Sequence, residues 1–271
     1  MADAGDSELM NGKRGLVVGV ANDHSIAWGI ARALAGAGAE LAFTYQDEAL
    51  KKRVEPLAGS AGSDIVLPCD VEDAASVDAV FDQLAARWGT LDFLVHAVAF
   101  SDKNELRGRY IDTSRENFLR TLHISCFSFT DLARRCTAMM PDGGSLLTLT
   151  YLGAQRVMPS YNVMGVAKAA LEASVRYLAA DLGQSGIRVN AISAGPMRTL
   201  AGAAVGDARF VYGYNRQHAP LRCNISLDQV GGSGLYLLSD LASGVTGEVM
   251  HVDAGFNVVG IPKPNGNNNA G

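Results

Sequence analysis

Short apolar runs at residues 16–20, 41–44, 65–67, 93–95, 145–149, 189–192 and 248–252 alternate with longer stretches at 25–37, 74–88, 115–139 and 161–182, where apolar side chains recur at helical spacing. A run apolar at every position suits a strand covered on both faces, whereas a surface helix shows its apolar residues every third or fourth position. Strand–helix alternation therefore predicts a parallel sheet with helices on both sides. The right-handedness of such crossovers makes it a doubly wound, Rossmann-like α/β sheet. Ser226 followed by Gln229 is the signature of a capping box opening a further helix to about Ser239. No repeat or linker interrupts the pattern, so residues 1–271 read as a single domain. Residues 1–10 and 262–271 read as frayed ends. The stretch 197–220 exceeds an ordinary connection and reads as a substrate-binding loop.

Composition narrows the class. Apolar residues make up 48% of the chain and charged residues 19%, enough for one large core. The net charge of −5 speaks against nucleic acid and against an acidic membrane surface as partners. Cys69, Cys126, Cys136 and Cys223 show neither metal nor redox spacing and read as buried thiols in a reducing compartment. His24, His96, His123, His218 and His251 are scattered without ligand spacing, so no metal is expected. The acidic start lacks an apolar signal region, and no apolar run approaches the roughly 18 residues of a membrane helix. A soluble cytoplasmic protein is the expectation.

The loop after the first strand supplies a candidate cofactor site. Gly19 is followed by a short polar stretch to Ser25 and Ile26, where a helix opens. A pyrophosphate can sit on the free N–H groups and positive end of such a helix, with Gly19 allowing the turn and Ser25 as cap or phosphate donor. An ordinary strand–helix loop with a capping serine fits the same residues, because the glycine pattern is degenerate. Gln46 stands where a dinucleotide site places its ribose-binding acid, with Asp47 next to it and Lys51, Lys52 and Arg53 close behind. An amide can bind a hydroxyl, which favours NADH, while the cations keep NADPH open. Asp70, followed by Val71, can bind the adenine amino group or cap the next helix. After His96, the small residues Ala97, Val98 and Ala99 let a cofactor approach the backbone.

Tyr161 and Lys168 lie seven residues apart on an expected helix, which at about 100° per residue puts both on one face. Tyr151 lies ten residues upstream, just past a strand whose carboxyl end borders the cofactor crevice. A tyrosine hydroxyl can donate to an oxygen on which negative charge develops. A lysine ammonium can bind ribose hydroxyls and keep the local field positive. The same pair also suits a packing tyrosine and a solvated lysine.

Three segments resemble bacterial enoyl-acyl-carrier-protein reductases of the short-chain dehydrogenase/reductase superfamily. They are Gly19-x5-Ser25-Ile-Ala-x-Gly29, Tyr151-x9-Tyr161-x6-Lys168, and the run from Arg188 to Thr199, Arg-Val-Asn-Ala-Ile-Ser-Ala-Gly-Pro-Met-Arg-Thr. The run from Ser243 to Phe256 is similar too, and the likeness extends from about Gly12 to Val259. Most short-chain dehydrogenases, which act on alcohols and ketones, carry Tyr-x3-Lys, and here Gly165 stands at that lysine's place. The resemblance implies NADH-dependent reduction of the 2,3 double bond of a trans-2-enoyl thioester in fatty acid synthesis. It implies that Tyr161 donates to the enolate, Lys168 holds the nicotinamide ribose and Tyr151 lines the substrate pocket. Gly19, Ser25, Ile26, Gln46, Asp70, Val71, Ala97, Val98, Met197 and Thr199 would contact NADH. It further implies acyl carrier protein as partner and a homotetramer. Ala97 and Ala99 depart from a frequent Ser and Gly, and in place of a dense basic cluster beside the lid the chain offers Arg198, Arg209, Arg216 and Arg222. A ketone-reducing relative and a non-catalytic NAD(P)-binding sensor are the competing readings.

Overall fold

The computed structural model describes residues 8–199 and 207–262. Its centre is a parallel sheet of β1 (Arg14–Val18), β2 (Glu40–Tyr45), β3 (Ile65–Pro68), β4 (Phe93–His96), β5 (Gly144–Thr150), β6 (Ile187–Ala194) and β7 (Val249–Val252). The spatial order is β3-β2-β1-β4-β5-β6-β7. The chain steps outward from β1 to β3, then returns to the other side of β1 as β4. That reversal opens a crevice at the carboxyl ends of β1 and β4, the place where doubly wound sheets bind their ligands.

Successive side chains of a strand point to opposite faces, so each strand serves two cores. Leu16 and Val18 of β1 pack with Leu94, Leu146 and Val189 beneath α3 (Ala74–Trp88), α6 (Ser128–Thr137) and α7 (Asn162–Leu182). Val17 packs with Phe43, Phe93, Val95, Leu147 and Ile192 beneath α1 (Ile26–Gly36) and a helix at Leu227–Leu238. Each fully buried Leu, Ile or Phe contributes about 1.5–3 kcal/mol. The capping box expected at Ser226 is complete, with Gln229 N–H donating to Ser226 Oγ at 3.3 Å and Ser226 N–H to Gln229 Oε1 at 2.8 Å.

Several expected boundaries are corrected. Met10, expected in a frayed end, is buried, and its N–H donates to Ala37 O at 2.9 Å. The rest of the expected frayed ends, 1–7 and 263–271, lies outside the described residues, and so does 200–206 of the expected loop. That loop region also holds a helix, Ala208–His218. A helix the pattern did not reveal, α2 (Glu48–Ser60), buries only Val54 and Ala58 and contains Pro56, so its apolar stripe is faint. The continuous helix expected at 115–139 is broken into α5 (Arg115–Leu122), a π turn at His123–Phe127, and α6. The extra residue is held by hydroxyls. Ser125 Oγ accepts from Phe100 N–H at 3.0 Å and donates to Phe100 O at 3.1 Å, while Ser128 Oγ donates to Ile124 O at 2.6 Å. Such π insertions are frequent beside functional sites. In chain order, the remaining helices are α4 (Lys103–Leu106), α8 (Ala208–His218) and α9 (Leu227–Leu238).

Candidate active site

The crevice begins at Gly19. Its φ is +106°, and a Cβ there would stand 2.3 Å from Ala97 O, so only glycine lets the end of β1 lie against the end of β4. Ala97 N–H donates to Val18 O at 2.8 Å, extending the sheet up to this point. The turn then runs to Ser25, the N-cap of α1. Ser25 does not cap the helix with its side chain. Its Oγ accepts from Ala21 N–H at 3.0 Å and Asn22 N–H at 3.1 Å, folding the loop back on itself. The hydroxyl therefore shapes the loop; Trp28 N–H already donates to Ser25 O at 3.0 Å, which leaves the N–H groups of Ile26 and Ala27 at the start of α1 for an anion.

Gln46 and Asp70 meet at the ends of β2 and β3, with Gln46 Nε2 at 3.5 Å from Asp70 Oδ2. Asp70 Oδ1 accepts from Glu72 N–H at 3.0 Å, closing a turn, and the capping role open to Asp70 falls instead to Asp73, which accepts from Ala75 N–H at 2.9 Å. Asp70 thus keeps an oxygen facing Gln46 rather than a helix. Asp47 is the side-chain cap of α2, accepting from Leu50 N–H at 2.8 Å. Lys51 leans over the Tyr45 ring at 5.6 Å and pairs with Glu55 at 3.8 Å. Val71, Ala97, Val98, Met197 and Thr199 are all half-buried, with Met197 packed against the core under α1.

On the other side of β4, Tyr161, Tyr151 and Lys168 come together. Tyr161 is the N-cap of α7 rather than part of it, held between two non-glycine residues of positive φ, Ser160 (53°) and Asn162 (38°). Asn162 Nδ2 donates to Glu105 O at 3.1 Å and Gly108 O at 2.8 Å, and Ser160 Oγ donates to Asp207 Oδ2 at 2.9 Å. The Tyr161 ring is buried in an apolar cluster with Leu106, Val163 and Met164, flanked by Tyr151 and Met158. It meets Tyr151 edge to face at 5.1 Å. Gly153 makes the space: a Cβ there would stand 2.3 Å from Tyr161 Cδ1, and a Cβ on Gly165 would stand 2.8 Å from Gly153 O. The geometry therefore leaves no room for a lysine at 165. Lys168, 6% exposed, instead donates from Nζ to Leu149 O at 2.8 Å, at the carboxyl end of β5.

Burial sets the protonation states. It pushes the Tyr151 phenol up to about 12 and the Tyr161 phenol higher, the latter helped by Tyr151 and Glu172. Both are hydrogen-bond donors at neutral pH. Desolvation brings the Lys168 ammonium down to about 8, opposed by Cys126 and Glu172. His96, 1% exposed, is held down to about 3 by burial and by the Lys168 charge. It bridges Thr148 Oγ1 at 2.8 Å and Ser128 Oγ at 2.9 Å, tying β4 and β5 to the start of α6.

Two groups escaped the sequence reading. His96 has no ligand spacing to other histidines that would single it out. Glu172 does carry a signal in the sequence: with Lys168 it is a charge on the stripe Met164, Ala167, Leu171, Val175 and Ala179 that α7 buries. A charge on an apolar stripe is rare unless it is paired or functional.

A parallel sheet of this order, with a glycine turn at its switch point and a buried tyrosine and lysine across it, defines a Rossmann-like oxidoreductase of the short-chain dehydrogenase type. Within that class, the chain belongs to the enoyl-acyl-carrier-protein reductase family: the family described as "Enoyl-(Acyl carrier protein) reductase" matches residues 19–257. The chain is 66% identical over 254 residues, 94% of its length and 95% of the relative's, to enoyl-[acyl-carrier-protein] reductase [NADH] 2 of Rhizobium meliloti. The crystal structure of the Anaplasma phagocytophilum reductase in complex with NAD superposes with a TM-score of 0.92 at 60% identity, covering 95% of this chain and 98% of that one. The Bacillus cereus reductase, solved with NADP+ and an indole naphthyridinone, gives 0.91 at 50% identity, covering 93% and 99%.

Proposed function

We propose that this protein uses NADH to reduce the 2,3 double bond of trans-2-enoyl thioesters carried on acyl carrier protein, the reductive step of fatty acid elongation. The observation that carries this reading is the buried Tyr161 against Tyr151, with Lys168 turned onto the end of β5 in the same crevice.

The crevice suits a dinucleotide: Gly19 lets the end of β1 lie against Ala97 at the switch point of the sheet, and the α1 N-terminus beside it suits a pyrophosphate. Gly19, Ser25 and Ile26 would hold the phosphates, Gln46, Asp70 and Val71 the adenosine end, and Ala97, Val98, Met197, Thr199 and Lys168 the nicotinamide end. Asp47 and Glu48 stand at the adenosine end while Lys51 is engaged by Tyr45 and Glu55, which favours NADH over NADPH. When bound, the cofactor supplies a hydride to the β-carbon of the substrate. Tyr161, kept protonated by burial, donates to the thioester oxygen as enolate charge develops there. Lys168, an ammonium below about pH 8, binds the ribose and adds positive field. Tyr151 walls the thioester end of the pocket.

The stretch 197–220 serves as the substrate-binding loop in this reading. Arg198, Arg209, Arg216 and Arg222 are exposed on and beside it, a charge that suits an acidic carrier protein. A homotetramer is part of the reading and is supported by an apolar groove of about 320 Å³ along α5, the π turn and α7, with Leu119 and Phe127 exposed beside Leu122 and Ser174. Cytoplasmic placement also belongs to it, and among the described residues no helix is long and apolar enough to cross a membrane. Mass spectrometry of a trans-2-enoyl thioester incubated with the protein and NADH tests the reading directly. The saturated acyl thioester is the expected product, and recovery of unchanged substrate would contradict it.

A further inference from the structure

Glu172 is 6% exposed, one helical turn beyond Lys168 on the buried stripe of α7. Its carboxylate accepts from Thr150 Oγ1 at 2.8 Å and from Gln155 Nε2 at 3.2 Å. Thr150 directly follows Leu149, whose carbonyl accepts from Lys168 Nζ. Two consecutive residues at the end of β5 therefore grip two opposite charges on consecutive turns of α7, immediately before Tyr151. Burying a carboxylate is costly, and an apolar residue of the same size would pack there more cheaply. A fold that keeps the charge and gives it two donors is holding it for its field.

We infer that Glu172 is a positioning residue: its buried carboxylate keeps Lys168 an ammonium aimed at the cofactor crevice. The inference rests on the reading of Lys168 as the cofactor-holding lysine. The other titratable groups around the Lys168–Glu172 pair are His96 on β4 and Cys126 on the π turn, which act on Lys168, and Tyr161 at the α7 cap, which acts with Glu172 and meets Tyr151 after β5. His96 is neutral above about pH 3, and both tyrosines hold their protons to about 12 or beyond. Cys126 and Glu172 both oppose the desolvation that draws the Lys168 proton away, and Glu172 is the carboxylate among these groups.

The test is the pH dependence of NADH affinity, read by fluorescence titration from pH 6 to 10, with enoyl-thioester turnover measured alongside. In the unmodified protein, affinity should fall along an alkaline limb as Lys168 loses its proton. Glu172→Gln, which keeps the shape and removes the charge, should move that limb to lower pH by roughly one unit. Thr150→Val removes a hydrogen bond and leaves the charge, so its limb should stay near the unmodified position. The displacement caused by Glu172→Gln should persist in a Cys126→Ala background, which excludes the thiol as its source. Glu172→Asp, which draws the charge back by one methylene, should give a smaller shift in the same direction and carries the test if the Gln variant does not fold. A limb unmoved in these Glu172 variants, or a shift that vanishes without Cys126, overturns the inference. Absence of NADH binding and enoyl turnover in the unmodified protein at every pH would instead overturn the proposed function on which it rests.

Discussion

The edge of one tyrosine ring meets the face of another at the mouth of the crevice: Tyr151 and Tyr161 stand 5.1 Å apart with their planes at 70°. Burial raises the proton affinity of both phenols, with Tyr151 and Glu172 adding to it at Tyr161, and leaves each a neutral donor. In the proposed function the two divide the work, Tyr161 as the donor for developing charge and Tyr151 as a wall of the pocket.

Tyr161→Phe removes a hydroxyl that acts on developing charge and leaves the ring packing intact. Turnover should fall by about 10²–10³-fold, the usual effect of losing one such donor. NADH affinity should stay near that of the unmodified protein. Steady-state kinetics with a fluorescence titration of NADH checks both, and unmodified turnover would remove Tyr161 from its role.

Gly153→Ala tests the same role without touching the tyrosine. The new Cβ would stand 2.3 Å from Tyr161 Cδ1, so the ring must shift. Misplacement of a catalytic group by about 1 Å can cost about 10²-fold. Turnover should drop by that order while NADH affinity holds, and a variant that turns over normally would show that the ring position is not critical.

Lys168→Ala should weaken NADH binding by about 10- to 100-fold, the value of a hydrogen bond to a charged group. The pH dependence has a definite sign. Burial lowers the lysine to about 8 from its ordinary 10.5, so the ammonium is present below that pH and is lost above it. NADH affinity of the unmodified protein should therefore decline as pH rises past 8, and the Lys168→Ala protein should lack that decline. Equal affinities for NADH in the two proteins at pH 7 would count against the ribose contact.

Much of the architecture was legible because burial on both faces leaves a plain mark. Leu16, Val17 and Val18 had to be a covered strand, and Phe93, Leu94 and Val95 of β4 carry the same mark. The capping box at Ser226 and Gln229 was legible because both arms lie within one turn. Features that depend on distant partners were not. The π turn exists because Ser125 bonds to Phe100, 25 residues away in sequence. Tyr161 caps α7 instead of joining it because Asn162 is anchored to Glu105 and Gly108. The helix α2 stayed hidden because it presents almost nothing to the core. At the site, the spacing of Tyr161 and Lys168 was readable, while the role of Gly165 in excluding the alternative spacing required the backbone of Gly153.

The Ser160–Asp207 hydrogen bond joins the residue before Tyr161 to the first residue ahead of α8. If 197–220 seats the acyl chain, Asp207→Ala should raise KM for the enoyl thioester by roughly 3-fold, the modest value of one partly exposed hydrogen bond. NADH affinity should not change. A KM equal to that of the unmodified protein would separate this link from substrate binding.

The most direct measurement is the loss of NADH absorbance with a 2-enoyl thioester, run beside a 3-ketoacyl thioester and repeated with NADPH. The account predicts turnover of the enoyl substrate, with NADH preferred and the ketone left untouched. Turnover of the ketone alone would contradict it and place this chain's chemistry with the alcohol- and ketone-reducing members of its superfamily.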